Sequence, residues 1–179
     1  MALVYFRGCC WDLRIQCVVE VAIHTILYVR QIYPPDLFVR RKKYDTPVFQ
    51  SRHPALNEYI SGAVKAVGDE MAQGTVEKVV VVIKNKQQVV MERFIFSVEN
   101  MIQVESFNKE ANLRSVEGAM TALSLTQYFR SFLIKLGMIE SHLGQMNLGD
   151  DVSFAILLEL RDTAAPSVSQ SKASNLPPL

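Results

Sequence analysis

The chain has 179 residues, of which 49% are hydrophobic and 21% charged, and its formal net charge is +1. This length suits a single domain, and the composition is that of a globular protein rather than a disordered one. A charge so close to zero excludes a global attraction to nucleic acid, so a DNA contact would need a local patch or a partner.

The cysteines, Cys9, Cys10 and Cys17, are odd in number and favour a reducing compartment over a disulfide framework. The sequence contains no run of about eighteen uncharged apolar residues, which is the pattern that would predict a membrane span.

Three segments have helical patterns. Residues 15–33 are apolar around most of the circumference, as expected for a central helix, and Pro34 ends them. A second helix begins at Pro54, since proline is favoured in the first turn, and it closes near Gly74. Its predicted apolar face holds Leu56, Tyr59, Ile60, Ala63, Val64, Val67 and Met71. A third helix is predicted over residues 116–139, with a buried side of Met120, Leu123, Phe129, Phe132, Leu133 and Leu136.

Three segments have strand patterns. Residues 76–84 contain an unbroken β-branched run, and residues 89–98 return after a polar turn to complete a central antiparallel hairpin. Residues 152–160 form one more strand, with Phe154 on its apolar face. The basic run at residues 40–43 fits an irregular or short-strand connection. The predicted class is α+β, with three helices packed on a small antiparallel sheet. Residues 164–179 have the composition of a disordered Ser/Pro tail.

Several separated stretches, taken in order, resemble the HORMA family, and within it the branch that serves translesion DNA polymerase zeta. They are residues 20–24 (EVAIH), 26–30 (ILYVR), 33–34 with Phe38, 41–44 (RKKY), 53–54, 56–57, 59–60, 76–83 (VEKVVVVI), 92–96 (ERFIF) and 130–135 (RSFLIK). The resemblance therefore implies a HORMA core over residues 15–163, preceded by an atypical N-terminal extension at residues 1–14.

The resemblance implies an adaptor and not an enzyme. HORMA proteins of this branch hold a proline-containing peptide of the polymerase zeta catalytic subunit beside the sheet, and they bridge to the inserter polymerase that scaffolds lesion bypass. A mobile C-terminal seatbelt closes over the peptide. The family continues past Leu160 into a tryptophan-containing segment, whereas the single tryptophan here is Trp11, so the seatbelt is expected to be missing.

Three alternatives stay open: a cell-cycle adaptor for activators of the anaphase-promoting complex, a clasp-less truncated isoform without peptide capture, and a small cysteine-dependent or metal enzyme. The resemblance implies a nuclear protein, with some cytoplasmic protein allowed, that meets DNA only indirectly and has no membrane role.

The resemblance also assigns site residues. Tyr59 and Phe154 are expected at the captured peptide, although Tyr59 also suits the core rim. Arg130 and Lys135 correspond to a surface where two HORMA domains pair as a homodimer, although a solvated helix face has the same pattern. Gln31 stands where the family tends to have an acidic residue, so one charge pairing at that interface is expected to be weaker.

A second group of side chains is identified from the sequence itself, without the family resemblance. The run Arg40, Arg41, Lys42 and Lys43 is a possible DNA or nuclear-import patch, although such runs are usually solvated faces.

Cys17 and His24 lie two helical turns apart, which raises the question of a metal or a nucleophile. There is no Cys-x-x-Cys pair, and adjacent cysteines rarely suit one tetrahedral site. His24 is expected instead to hydrogen-bond a neighbouring loop. Neither a glycine-rich phosphate loop nor a nucleophile–base–orienter arrangement is present in the sequence, so no cofactor and no metal site is predicted.

Overall fold

A computed structural model of the chain describes residues 2–7, 13–99, 122–144 and 152–161, with side chains for residues 15–98, 123–144 and 152–161. The helices are α1 (Leu13–Val29), α2 (Pro54–Ala72), α3 (Ala122–Gly137) and α4 (Ile139–Leu143), and a short 3-10 turn spans Pro35–Leu37. The strands are β1 (Ala2–Arg7), β2 (Phe38–Lys43), β3 (Thr46–Ser51), β4 (Val76–Lys84), β5 (Val90–Glu99) and β6 (Ser153–Leu160).

The main sheet has the strand order β1-β5-β4-β6. The valine-rich β4 lies at its centre and pairs antiparallel with both β5 and β6, which confirms the central hairpin and the α+β class. Its β-branched side chains fit a strand whose core face is fully covered, because Val79, Val81 and Ile83 are buried there. The strand β6 is an edge of the sheet among the described residues.

The strand β1 was not anticipated by the sequence analysis. It pairs parallel with β5, with Leu3 opposite Ile95 and Phe6 opposite Val98, and it makes the sheet mixed. Parallel neighbours are joined through distant chain segments, so no local turn signal marks such a pairing. The division between an N-terminal extension and a HORMA core at residue 14 stays a prediction. The predicted tail at residues 164–179 and the first turns of the predicted third helix lie outside the described residues.

The central helix α1 ends at Val29, four residues before the predicted end at Tyr33. The N–H of Gln31 donates to the carbonyl of Tyr28 (3.0 Å), and the N–H of Ile32 donates to that of Leu27 (3.0 Å). Gln31 has a φ of 53°, so these bonds form the left-handed helix terminus in which glycine is usual. The helix therefore stops before the proline pair is reached.

Helices α1, α2 and α3 enclose the core with the inner face of the main sheet. Gly68 on α2 leaves room for the Gln16 side chain of α1, since a Cβ there would lie 2.0 Å from Nε2 of Gln16. On α3 the predicted burial of Phe129, Phe132, Leu133 and Leu136 is confirmed. The predicted burial of Leu123 is wrong, because its side chain is 69% exposed. Six residues before Phe129, it points roughly 120° away from the buried side.

The strands β2 and β3 form a separate antiparallel hairpin, so the short-strand form of the predicted connection is the one observed. The Tyr28 ring stacks on Phe49 with the ring centroids 3.5 Å apart, and its edge meets Phe38 at 5.6 Å. These contacts attach the hairpin to α1, while Val48 enters the core.

Candidate functional site: the free edge of β6 and its neighbours

The outer edge of β6 presents backbone groups in a pattern that the sheet ladder fixes. The N–H of Arg161 donates to the carbonyl of Thr75 (2.9 Å), so residue 161 faces the neighbouring strand β4. The irregularity in this ladder lies on β4, between Val76 and Lys78, so β6 keeps a regular alternation. The N–H and C=O groups that point away from β4 therefore belong to Phe154, Ile156, Leu158 and Leu160.

Aromatic side chains from two helical segments gather at this edge. The ring of Tyr59, on α2, meets that of Phe154 edge-on, with centroids 5.6 Å apart and an interplanar angle of 84°. Tyr33, which follows α1, meets Phe154 in the same way at 6.3 Å. Such edge-on pairs are favoured by the aromatic quadrupole. The two tyrosines thus hold the Phe154 ring in place.

The hydroxyl of Tyr59 lies near the backbone of the edge strand. Burial raises the pKa of Tyr59, while a hydrogen bond from the backbone of Ile156 works in the opposite direction. A bond that stabilises the phenolate is one in which the Ile156 N–H donates to the phenolic oxygen. Burial, together with the nearby Tyr59, raises the pKa of Tyr33 to about 12. Both phenols are therefore protonated hydrogen-bonding groups at neutral pH.

The two residues expected at the peptide occupy different positions. Tyr59 is half-buried at the open edge, where an added strand would meet it. The Phe154 side chain is 1% exposed, so its ring is not available to a ligand in this state. Phe154 is buried as a whole residue and supports the ring of Tyr59, and its place at the captured peptide stays a prediction.

A buried ion pair just after the C-terminal end of α1 was not predicted. The guanidinium of Arg30 donates from Nε to Oε2 of Glu92 (2.9 Å) and from Nη2 to Oε1 (2.5 Å). Its Nη1 donates to the carbonyl of Gly144 (2.7 Å), just after α4. The sequence carried one signal for it, since Glu92 stands on the otherwise apolar face of β5. The pair joins α1, β5 and the segment that leads towards β6.

His24 lies deep between α1 and the β3–α2 connection. The N–H of Ser51 donates to its Nδ1 (3.4 Å), and the amide of Asn57 donates to the carbonyl of the same serine (3.1 Å). The predicted hydrogen bond of His24 to a neighbouring part of the chain is present, but its partner Ser51 ends the strand β3 and does not lie in a loop. Burial lowers the pKa of His24 to about 4, so the imidazole is neutral with its proton on Nε2. A neutral and buried histidine of this kind serves the packing of three elements.

The residues assigned to a dimer surface lie on α3 and just after α1. Arg130 and Lys135 are both exposed on α3, and five helical residues place them about 140° apart around the axis. Arg130 lies close enough to Asp45, in the β2–β3 turn, to influence its pKa. Gln31 is exposed at the C-terminal end of α1. Their role in pairing stays a prediction.

The basic run lies along β2. Arg40, Arg41 and Lys42 are exposed, and Lys42 forms an ion pair with Asp45 (2.7 Å) whose side chains are 71% and 69% exposed. Lys43 is half-buried, with its ammonium 5.3 Å from the centroid of the Tyr44 ring. Successive residues of a strand point to opposite faces, so the four charges are divided between two sides of the hairpin.

The described part of the chain contains neither a cluster of metal-ligating side chains nor a helix that could span a membrane. No group of three or more histidine, cysteine or acidic side chains comes together there, and Cys9 and Cys10 lie outside it. Among these same residues, no helix combines the length and the apolar character that crossing a bilayer requires.

The comparisons with known proteins agree with the fold. Residues 13–167 match the HORMA domain family. The human protein named mitotic spindle assembly checkpoint protein MAD2B is 34% identical over 151 residues, covering 84% of this chain and 66% of its own length. The Schizosaccharomyces pombe DNA polymerase zeta processivity subunit is 35% identical over 158 residues, covering 88% and 72%. The chain thus spans about two thirds of the length of these relatives.

Solved structures give the same fold. A chain in the crystal structure of the mitotic checkpoint complex has a TM-score of 0.69 at 20% identity, covering 92% of this chain and 81% of that one. The Caenorhabditis elegans protein HTP-2, bound to the HIM-3 closure motif, has a TM-score of 0.64 at 14% identity, covering 90% and 74%.

A mixed sheet backed by three helices, with β6 at one edge among the described residues, is the fold of a HORMA-type domain. The chain belongs to the HORMA family, and the predicted branch is confirmed by relatives that are named polymerase zeta processivity subunit and MAD2B.

Proposed function

We propose that this chain is a non-catalytic adaptor subunit of translesion DNA polymerase zeta. It binds a short proline-containing peptide of the catalytic subunit along β6 and bridges to other lesion-bypass factors. The observation that carries the proposal is the outer edge of β6, which has no neighbouring strand among the described residues and lies beside Tyr59. The name of the 35%-identical Schizosaccharomyces pombe relative supports the choice of polymerase.

The edge suits peptide capture for a physical reason. An extended peptide that adds to a sheet gains backbone hydrogen bonds with little demand on its sequence, and neighbouring pockets then supply selectivity. At β6 the side chains beside the edge are aromatic and apolar, including Tyr59, Tyr33 and the half-buried Leu158 and Leu160. They favour an apolar or proline-containing segment over a highly charged one.

The proposal includes the location of the adaptor in the cell and its pairing with a second copy. It works in the nucleus, with the basic run on β2 as the import signal and DNA met only through its partners. Two copies pair through the α3 surface around Arg130, as the family resemblance implies.

A pull-down under two conditions tests the proposal. Tagged protein is purified from cells of its own species after DNA damage and, separately, after mitotic arrest. The proposal expects the catalytic subunit of polymerase zeta and the inserter polymerase after damage, and loss of the catalytic subunit with Tyr59→Ala. Recovery of anaphase-promoting-complex activators in both conditions, without any polymerase, would support the checkpoint adaptor instead, a role to which the name of the MAD2B relatives points.

A further inference from the structure

The turn that follows α1 contacts two strands of the main sheet that are not neighbours. Arg30 bonds to Glu92 of β5, and Tyr33, three residues later, packs against Phe154 of β6. Glu92 and Phe154 stand in one row across the sheet, because Ile83 of the central β4 pairs with both. Two strand spacings are roughly 10 Å, a distance that three residues and their side chains can span. The turn therefore links β5 to β6 across the central strand.

The Arg30 end of this turn is held at three points. Nε and Nη2 donate to the two carboxylate oxygens of Glu92 at 2.9 and 2.5 Å, and Nη1 donates to the carbonyl of Gly144 at 2.7 Å. A planar guanidinium that is bonded through all three nitrogens has a single orientation, which a lysine ammonium cannot reproduce. The arginine side chain is 1% exposed, so solvent does not loosen these bonds.

The Tyr33 end of the turn supports the aromatic pair at the candidate site. The Tyr33 ring packs edge-on against Phe154 at 6.3 Å, and Phe154 packs edge-on against Tyr59 at 5.6 Å. Tyr33 and Phe154 are both buried, whereas Tyr59 is half-buried beside the edge of β6. The orientation of the Tyr59 ring therefore depends on Phe154, and that of Phe154 depends on Tyr33.

The backbone between the two ends needs such support. Gln31 has a φ of 53°, a left-handed conformation that is unfavourable for glutamine. Strained backbone of this kind persists where contacts on both sides hold it in place.

We propose that Arg30 is a positioning residue for the peptide edge. Its three hydrogen bonds fix the turn, the turn fixes Tyr33, and Tyr33 holds Phe154 and thereby the Tyr59 ring where an added strand meets it. The inference rests on the proposed capture of a peptide at β6. It adds to that function a residue that acts on the peptide only through other side chains.

The effect on peptide binding has an expected size. Loss of one aligned aromatic pair corresponds to about a 2- to 12-fold change in an equilibrium constant. Arg30→Lys and Tyr33→Leu should each weaken peptide binding within that range. Because both changes break the same series of contacts, the double variant should bind about as weakly as Tyr33→Leu alone, whereas independent effects would multiply.

The experiment uses the full chain as wild type, Arg30→Lys, Tyr33→Leu and the double variant. Affinity is measured by fluorescence anisotropy with a labelled proline-containing peptide of the polymerase zeta catalytic subunit, well below the unfolding temperature of every variant. The aromatic NMR shifts of Phe154 report on its ring without peptide, and we expect Arg30→Lys to change them. Glu92→Gln, which keeps the shape of the acceptor, is a second variant that should change the affinity and the shifts in the same direction.

A control separates positioning from a general loss of stability. Val48→Ala removes a buried side chain from the β2–β3 hairpin, which is not part of the main sheet. It should lower the free energy of unfolding and leave peptide affinity within about twofold of the wild type.

The outcomes distinguish this inference from the proposed function. Multiplied losses in the double variant, unchanged affinity in Arg30→Lys and Glu92→Gln, or unchanged Phe154 shifts in both would overturn the positioning role while leaving peptide capture intact. An equal loss of affinity in Val48→Ala would overturn it as well, because lower stability would then be the cause. If the wild type itself does not bind the peptide, the proposed capture fails, and the role of Arg30 at a peptide edge fails with it.

Discussion

Arg30 and Glu92, which are 62 positions apart in the chain, form a two-point ion pair in which the arginine side chain is only 1% exposed and the glutamate 20%. Because the guanidinium also binds the carbonyl of Gly144, all of its nitrogen atoms face oxygen acceptors. This arrangement offsets the cost of removing the charge from water.

Removing one partner of this pair should be costly. Arg30→Met leaves the Glu92 carboxylate without its counter-charge, and such losses at buried pairs cost about 3–5 kcal/mol in the free energy of unfolding. Urea titration followed by circular dichroism measures it. Lys42→Met is the control, since it breaks a pair whose partners are 71% and 69% exposed and should cost less than about 1 kcal/mol. Equal losses in the two variants would contradict this account of the buried pair.

The buried His24 predicts an acid-dependent loss of stability. Its pKa is lowered from 6.5 to about 4 in the folded state, because burial disfavours the imidazolium. The unfolded chain therefore binds a proton first as the pH falls, and stability is lost progressively between about pH 6.5 and pH 4. The expected loss between pH 7.5 and pH 5 is about 2 kcal/mol.

The comparison of wild type with His24→Gln isolates this histidine from other titrating groups, including Glu20, whose raised pKa acts in the opposite direction. The glutamine variant should be less stable at pH 7.5 and should have a shallower pH dependence. His142→Gln, a substitution at an exposed position, is the matched control for the loss of a histidine. Parallel profiles for wild type and His24→Gln would show that His24 titrates normally.

The end of α1 predicts a stabilising substitution. Gln31 has a φ of 53°, a conformation that costs an ordinary residue about 1 kcal/mol and glycine almost nothing. Gln31→Gly should therefore raise the free energy of unfolding by up to about 1 kcal/mol, measured by urea titration. Gln73→Gly is the control, because Gln73 ends α2 with a φ of −85° and gains no such relief. A loss of stability in Gln31→Gly would contradict the helix terminus described here.

The elements that local sequence dictates were predicted well. The strand β4 has the predicted bounds, since five successive β-branched residues favour a strand and no other part of the chain is needed to say so. Helix α2 begins at the predicted Pro54, because proline at the first turn of a helix is also a local signal. Features that depend on distant contacts were missed: the parallel pairing of β1, the partner of Glu92, and the outward position of Leu123.

The candidate site likewise combines features that the local sequence predicts with features that depend on distant contacts. The role of Tyr59 came from a family resemblance, and helical spacing alone placed it on the apolar face of α2. That Tyr59 lies near Ile156 depends on the ladder register between β4 and β6, which joins residues about 80 positions apart. The early end of α1 was missed because the left-handed terminus is formed by glutamine, whereas glycine is the residue that usually marks it.

The α3 surface gives a prediction on assembly. If two copies pair there, Arg130→Ala should shift the sedimentation coefficient from dimer to monomer at micromolar concentration, with a change in the free energy of unfolding below about 0.5 kcal/mol, since Arg130 is exposed. Lys135→Ala, about 140° around the helix, should have a smaller effect. A wild-type chain that sediments as a monomer at all concentrations would contradict the pairing.

The most direct test of the central claim is residue-resolved amide exchange along β6 with and without a proline-containing peptide of the polymerase zeta catalytic subunit. Capture at the free edge predicts that the outward amides of Ile156 and Leu158 gain protection on binding, whereas those of Ala155 and Leu157, which face β4, are slow in both states. Binding that leaves Leu158 unchanged, or that protects β2 instead, would contradict the claim that this edge holds the peptide.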